Sequence, residues 1–384
     1  MKYYLTRLRR FCGFLVGIVF FISGILKILD PVGAMLVMKE YYSFLHIGFM
    51  EPTAKFFAML FALAECMIGA GLVTGVWRKF FAVVAMCFQG FFTLLTLALV
   101  IWNPVMDCGC FGEAIHLSHL QTFIKNIILC VLLAAGYIPM RQLGVPKARK
   151  YVSFAIVTLS TVLFMVYSLL YIPMVDFTEY KAGTTLNAEE HGYEAVFIYE
   201  KDGRKQEFDI GELPDSSWTY VGTEVKNGTE DFNAVLSISD KDGNYCDSIV
   251  NTGNLLVISI YDAGAIHGRK AEKIRRFTAN AKAAGMTPLI VATLGSQLPE
   301  ELGTEVYYSD YKTLISLNRS NGGLTRIDNG YIIRKWAFRQ LPDAEKLTEI
   351  RASNPTEALV NRSTKSELAF QGLLLYMFAV LLLL

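Results

Sequence analysis

The feature that most limits what this chain can become is a recurrence of apolar runs long enough to cross a bilayer. Phe11 to Leu29 is almost wholly apolar, and about 20 residues at roughly 1.5 Å each match the roughly 30 Å hydrocarbon core. Comparable runs fill Lys55 to Trp77, Phe80 to Ile101, Gln121 to Ile138 and Tyr151 to Ile172. Leu368 to Leu384 is leucine-rich and uncharged. It only just matches the core, so it reads as a sixth span or as a tail bound to partner helices, and the span is favoured. The first run exceeds the apolar core of a signal peptide, about 7–15 residues, and lacks a small-x-small site after Leu29, which predicts a retained helix.

A chain of 384 residues, 53% of them hydrophobic, is too apolar for an ordinary soluble globule and too long for a bare bundle. A membrane part plus a soluble part is expected. Lys and Arg number 36 against 35 Asp and Glu, a balance without the basic excess that phosphate neutralisation needs, so nucleic acid is excluded as a partner. Basic residues cluster at Lys2 to Arg10, at Arg78-Lys79 and at Arg141 to Lys150. All fall on one side, which the positive-inside rule assigns to the cytoplasm. The region after Pro173 is then expected on the opposite, outward side, with the lipid bilayer as first partner.

Polar residues inside the spans stand out. Glu65, beside Cys66 near the middle of the second run, must face a partner helix or a polar cavity, either as a functional carboxylate or as a protonated, hydrogen-bonded one. Lys27 and Asp30 end the first helix, where a snorkelling lysine with a nearby counter-charge is the expectation. Gly13 and Gly17 have the spacing that lets another helix approach closely. Pro31 to Thr53, with Tyr41, Tyr42, Phe44 and Phe49, reads as a loop along the headgroup region.

The polar region from about Asp176 to Lys365 reads as an α/β domain. Leu255 to Tyr261 is a continuous apolar β-type run, followed by an amphipathic helix near Arg269 to Ala284 and a second strand at Met286 to Thr293, a strand-helix-strand unit. Glu305 to Tyr308 is strand-like and Tyr311 to Asn318 helical. Leu324 to Ile327 and Tyr331 to Trp336 flank Asp328-Asn329-Gly330, a hairpin signal. Glu194 to Tyr199 and Gln206 to Asp209 flank Asp202-Gly203 in the same manner.

Chemistry concentrates in Asp107-Cys108-Gly109-Cys110-Phe111-Gly112-Glu113, between the third and fourth runs. Of the other cysteines, Cys12, Cys66, Cys87 and Cys130 lie in apolar runs, where a thiol behaves as a small hydrophobe. Cys246 follows a polar turn and reads as a bystander. Thiol–disulfide exchange needs an accessible thiolate and a second thiol to resolve the mixed disulfide. Cys108 and Cys110 supply the pair, and the small ring they would close departs from relaxed geometry, which favours an oxidant. Lys125, near the start of the fourth run, either favours thiolate or snorkels. A metal set of Cys108, Cys110, His116 and His119 and a structural disulfide are the rivals, and no metal is assigned.

Phe21-Ile-Ser-Gly-Ile-Leu-Lys27-Ile-Leu-Asp30-Pro31, the Glu65 helix, and Asp107 to Gly112 followed by Lys125-Asn126 resemble the DoxX-like membrane proteins, in particular the MauE (methylamine utilisation) branch. The resemblance covers roughly the first 140 residues. It implies a four-helix core similar in outline to DsbB and vitamin K epoxide reductase, a part in forming disulfides in exported proteins, and a quinone as possible electron acceptor. A Bacteroidetes-type fusion of such a core to an outward domain resembles the chain from Tyr171 onward. The outward domain resembles a thioredoxin-like fold without its Cys-x-x-Cys: Asp262-Ala263-Gly264-Ala265-Ile266-His267 stands after the central strand, and the usual cis-proline is missing near Asn321-Gly322-Gly323.

The expected organisation is therefore a membrane domain over residues 1–140, a basic loop and fifth helix over 141–172, a periplasmic domain over 173–365, and a last span over 366–384. Two functional readings follow. In one, Cys108 and Cys110 are catalytic in a thiol–disulfide oxidoreductase acting on exported clients, with Glu65, Lys125 and Lys27 in support. In the other, the bundle is a non-catalytic anchor presenting a redox-silent domain to an envelope partner. A transporter built on Glu65 and Lys125 is a third possibility, for which no inverted repeat speaks.

Overall fold

The computed structural model describes residues 2–104, 106, 108–138, 146–186, 194–201, 204–208, 214, 218–226, 233–299, 302 and 306–383. Asp107, Arg141, Asp202-Gly203 and Glu305 lie outside them. The chain forms two compact units, residues 1–178 with 360–384, and residues 179–359.

The first unit opens with α1 (Lys2–Leu29), followed by α2 (Pro31–Phe44), a 3-10 turn at Gly48–Thr53, α3 (Ala54–Thr74), α4 (Arg78–Trp102), a short extended segment β1 (Cys110–Glu113), α5 (His119–Tyr137) and α6 (Ala148–Leu170). The expected surface loop over Pro31 to Thr53 is thus mostly helix. Its start is built by Asp30, whose carboxylate accepts from the Val32 and Gly33 amides at 3.2 and 3.0 Å, while Pro31 takes the first helical position. The tyrosines that suggest an interface lie on this helix; Tyr42 is buried and Tyr41 faces inward.

α1 and α3 cross in close contact because glycines sit at the crossing. A methyl on Gly24 would lie 2.5 Å from Cys66 Sγ and 2.6 Å from the Ala62 carbonyl, and one on Gly69 2.6 Å from the Gly17 carbonyl. Gly13 serves a different neighbour. Its open face receives the Tyr137 ring of α5, so Gly13 and Gly17 do not form one stripe against one helix.

In the second unit, β2 (Thr185–Leu186), β3 (Glu194–Lys201), β4 (Arg204–Phe208), β5 (Thr219–Lys226) and β6 (Asn233–Ala234) precede β7 (Leu255–Ile260). Then come α7 (Arg269–Ala283), β8 (Thr287–Thr293), β9 (Val306–Ser309), α8 (Tyr311–Leu317), β10 (Gly323–Asp328), β11 (Tyr331–Trp336) and α9 (Ala344–Ala352). A seven-stranded sheet runs in the order β6-β2-β11-β10-β7-β8-β9, and β4-β3-β5 form a separate antiparallel sheet. β7, β8 and β9 are parallel, and β10 is antiparallel to β7. All six residues of β7 are buried, as a strand packed on both faces requires. Leu256, Ile258 and Ile260 face one core with Ile274 and Phe277 of α7, while Leu255 and Val257 face the other with Leu314 of α8.

The last helix, α10 (Pro355–Leu383), returns the chain to the first unit, where Phe370, Met377 and Leu381 join a core with Phe21, Cys66 and Phe164. The Ser153 hydroxyl of α6 donates to the Val380 carbonyl at 2.7 Å. Among the described residues, six helical stretches are long and apolar enough to cross a membrane: Thr6–Leu29, Gly48–Thr74, Arg78–Trp102, His119–Tyr137, Ala148–Leu170 and Lys365–Leu383. Large apolar side chains such as Phe91, Leu94, Val131, Leu163 and Leu375 point outward, as lipid-facing positions do.

Candidate functional site

The Cys-Gly-Cys segment is held in place through its backbone. Tyr41 Oη of α2 donates to the Cys108 carbonyl at 2.9 Å, and Ser23 Oγ of α1 lies 2.6 Å from the Cys110 carbonyl. Burial, reinforced by neighbouring Cys110, Cys108 and Glu40, raises the Tyr41 hydroxyl far above its ordinary range, so it stays protonated and donating. Between the cysteines Gly109 adopts φ +60°, a left-handed conformation open to glycine, and its bare Cα faces Val37. Cys108 is 5% exposed and Cys110 half-buried; both are thiols.

Below the segment an ion pair joins α1 to α3. Lys27 Nζ lies 2.7 Å from both Glu65 carboxylate oxygens and 3.0 Å from Ser23 Oγ. Ser23 Oγ in turn lies 2.7 Å from Glu65 Oε2. The two side chains keep only 16% and 6% of their surface exposed. Lys27 therefore does not snorkel beside Asp30 as its place at a helix end suggests. It turns inward because a buried carboxylate on the crossing helix gives its charge a partner, while Asp30 caps α2.

These groups share one cavity of about 320 Å³, whose lining includes Cys108, Cys110, Lys27, Glu65 and Lys125. All five residues singled out in the sequence thus meet, although they come from four separate segments. Lys125 Nζ sits 4.8 Å above the Phe111 ring, a cation–π contact at the cavity wall. Phe57, Phe61, Phe88 and Phe92 make the wall aromatic. Gln89 and Asn126 add amides, Gln89 Nε2 donating to the Asn126 carbonyl at 3.3 Å and Asn126 Nδ2 to Thr96 Oγ1 at 3.1 Å.

Ser23 and Tyr41 escaped the sequence reading as site residues. A serine in an apolar helix is common, and only the short Ser-x-x-x-Lys spacing, which stacks Ser23 on Lys27, hinted at a pair. The metal alternative is not assembled. His119 bonds Asn103 Oδ1 at 3.1 Å and the Met106 carbonyl at 2.9 Å, holding the loop before α5, and among the described residues no three His, Cys, Asp or Glu converge.

Residues 5–139 match the family described as methylamine utilisation protein MauE, limits that take in α1 from Leu5 onward, α2 to α5 and every residue of the cavity. The membrane part is MauE-like. With six apolar helices, the chain is a multi-pass membrane protein whose MauE-like unit contacts the lipid bilayer. Residues 193–227 match a domain of unknown function, DUF8463, which coincides with the sheet β4-β3-β5. No curated protein and no solved structure matches the chain.

Proposed function

We propose that the MauE-like unit is a thiol–disulfide oxidoreductase of the bacterial inner membrane, in which Cys108 and Cys110 pass oxidising equivalents to exported proteins. The observation that carries this reading is that both cysteines open on one cavity with Lys27, Glu65 and Lys125. A client thiolate attacks one sulfur of the Cys108–Cys110 disulfide, and a second client thiol resolves the mixed disulfide. The client gains a disulfide, and the pair becomes a dithiol holding two electrons and two protons.

A lipid-soluble quinone fits the cavity as the acceptor that recharges the pair. The volume of about 320 Å³ falls at the small end of ligand sites, roughly 300–1,000 Å³, and suits a planar ring. Phe57, Phe61, Phe88 and Phe92 would flank such a ring, while Lys27, Gln89 and Lys125 offer donors for its two oxygens. When bound, the quinone supplies a two-electron, two-proton acceptor. The protein's own part is to hold the thiols at the cavity wall and to exclude water from it.

For the second unit the reading is a thioredoxin-like periplasmic domain, within a DoxX-like protein of Bacteroidetes-type arrangement. Support comes from the parallel β7-α7-β8 unit with the β10–β11 hairpin on the other side of β7. The basic segments at Lys2 to Arg10, Arg78-Lys79 and Lys147 to Lys150 support a cytoplasmic N-terminus.

Thiol alkylation and mass shift in intact cells, with and without respiratory electron flow, test the reading. Occupancy of the Cys108–Cys110 disulfide should follow quinone oxidation, and Cys108→Ser with Cys110→Ser should leave exported clients reduced. A pair that never changes state would instead favour the anchor reading, for which the thiol-free Asp262–His267 segment after β7 speaks. That reading expects the double serine variant to stay active and removal of residues 179–359 to abolish function.

A further inference from the structure

Among the described residues, three charged side chains line the cavity: Lys27, Glu65 and Lys125. Two of them answer each other. Lys27 spends its three protons on Ser23 Oγ and on both Glu65 oxygens, at 2.7 to 3.0 Å. That pair is electrically closed, so the lining keeps one positive charge, on Lys125. Among the described residues no hydrogen bond or ion pair engages this ammonium, whose contact is the face of Phe111. An aromatic face attracts a cation but leaves its three N–H donors open. Lys125 is half-buried and lines the cavity, so its charge is turned inward rather than snorkelling to the headgroups.

The other polar groups of the wall are neutral, and most are already engaged. Tyr41 donates to the Cys108 carbonyl, Thr96 to the Phe92 carbonyl at 2.8 Å, and Asn126 Nδ2 to Thr96. Gln89 keeps one amide proton after bonding the Asn126 carbonyl, and Tyr42 adds a hydroxyl. A ligand oxygen entering the cavity therefore meets its strongest open donor at Lys125. The cavity also opens toward lipid. Leu45 and Phe91 line it and yet are 47% and 54% exposed, and Phe91 belongs to a membrane-crossing helix. Ile47 and Met50 continue this apolar rim.

We infer that the cavity takes its occupant head-first from the bilayer, with an oxygen of the head docked on the Lys125 ammonium and the tail leaving between Leu45 and Phe91. The inference rests on the quinone reading and deepens it. Lys125 is the positioning residue for a ring oxygen, and the tail that makes a quinone lipid-soluble has an apolar way out. Of the two ammonium groups, Lys125 is the one that bonds the ring without leaving a carboxylate behind. Lys27 instead fastens α1 to α3.

The test is photo-labelling of the full-length protein in liposomes, read by peptide mass spectrometry, with three probes that carry a diazirine at the end of a decyl tail. One is a fully substituted benzoquinone, one is decylbenzene, which has the ring without oxygen, and one is a fatty acid, which has an anionic head without a ring. The quinone probe should label the peptides that hold Leu45 and Phe91. Lys125→Met, which keeps the length of the side chain, should raise its half-saturating mole fraction about 10-fold, the scale of one charge-assisted hydrogen bond. Lys125→Arg should restore it. Decylbenzene should label the wild type and Lys125→Met alike, which shows that the cavity is intact. Equal loss for the quinone and decylbenzene, or tail labels beside Phe111 and Lys125 instead, overturns the inference. If the quinone labels the wild type and Lys125→Met equally, the Lys125 dock falls and the quinone reading stands. If only the fatty acid labels these sites and loses its hold in Lys125→Met, the dock stands and the quinone reading falls.

Discussion

At Gly109 a single backbone angle holds the cysteines in register. An L side chain at φ +60° loses roughly 1–2 kcal/mol to left-handed backbone, and here it also meets Val37. Gly109→Ala should therefore lower the thermal unfolding temperature of the protein in detergent and speed alkylation of Cys108, which is now almost fully covered; an unchanged Cys108 rate would show that the segment tolerates the side chain. Much at this scale was legible. Glu65, Lys27 and Lys125 are residue types that a bilayer admits only for a reason, and Cys108 and Cys110 stand together outside the apolar runs. The pairing of Lys27 with Glu65 was not legible, because 38 positions separate them and only the crossing of α1 with α3 brings them together.

Among elements, that crossing governs the MauE-like unit. Gly69→Leu would drive a side chain into Phe21 and Gly17, and overpacking of this kind costs about 1–3 kcal/mol. The expected outcome is a less stable bundle with a displaced Lys27–Glu65 pair, seen as a lower unfolding temperature and altered Cys110 alkylation. α2 went unread because its aromatic side chains suggest an interface, while its Asp30-Pro31 cap speaks only locally. The strands of the second unit were easier. Six consecutive buried residues mark β7, and Asn329-Gly330 closes β10 on β11, with Asn329 at φ +48° and Gly330 at φ +79°.

The start of α8 gives that unit a pH dependence. Burial works to raise the Asp310 carboxyl, but hydrogen bonds from the Thr313 side chain and amide and from the Lys312 amide outweigh it and hold it below its ordinary value. A depressed carboxyl contributes stability in full above its unfolded value, about 3.9, and loses it as pH falls through the lower folded value. Asp310→Asn should flatten that acid limb in a urea-unfolding series, and a parallel loss in both proteins would exclude Asp310 as the source.

Across the whole molecule, the sequence separates a membrane unit from an α/β unit because hydrophobic length and β-type runs are additive signals along the chain. The two compact units divide at 178/179 and at 359/360, where contacts along the folded chain change from one unit to the other. The proposed orientation yields a direct expectation. A membrane-impermeant maleimide should label half-exposed Cys246 in spheroplasts, whereas Lys147→Cys should react only after permeabilisation; the reverse pattern would invert the topology.

The cavity draws all its walls from Val19 to Leu129. Synthesis proceeds from the N-terminus, so every group the site needs has left the ribosome before the first residue of the second unit is made. The site is thus a self-contained cassette, complete in its parts at about a third of translation, and among the described residues α6 and α10 supply no part of its wall.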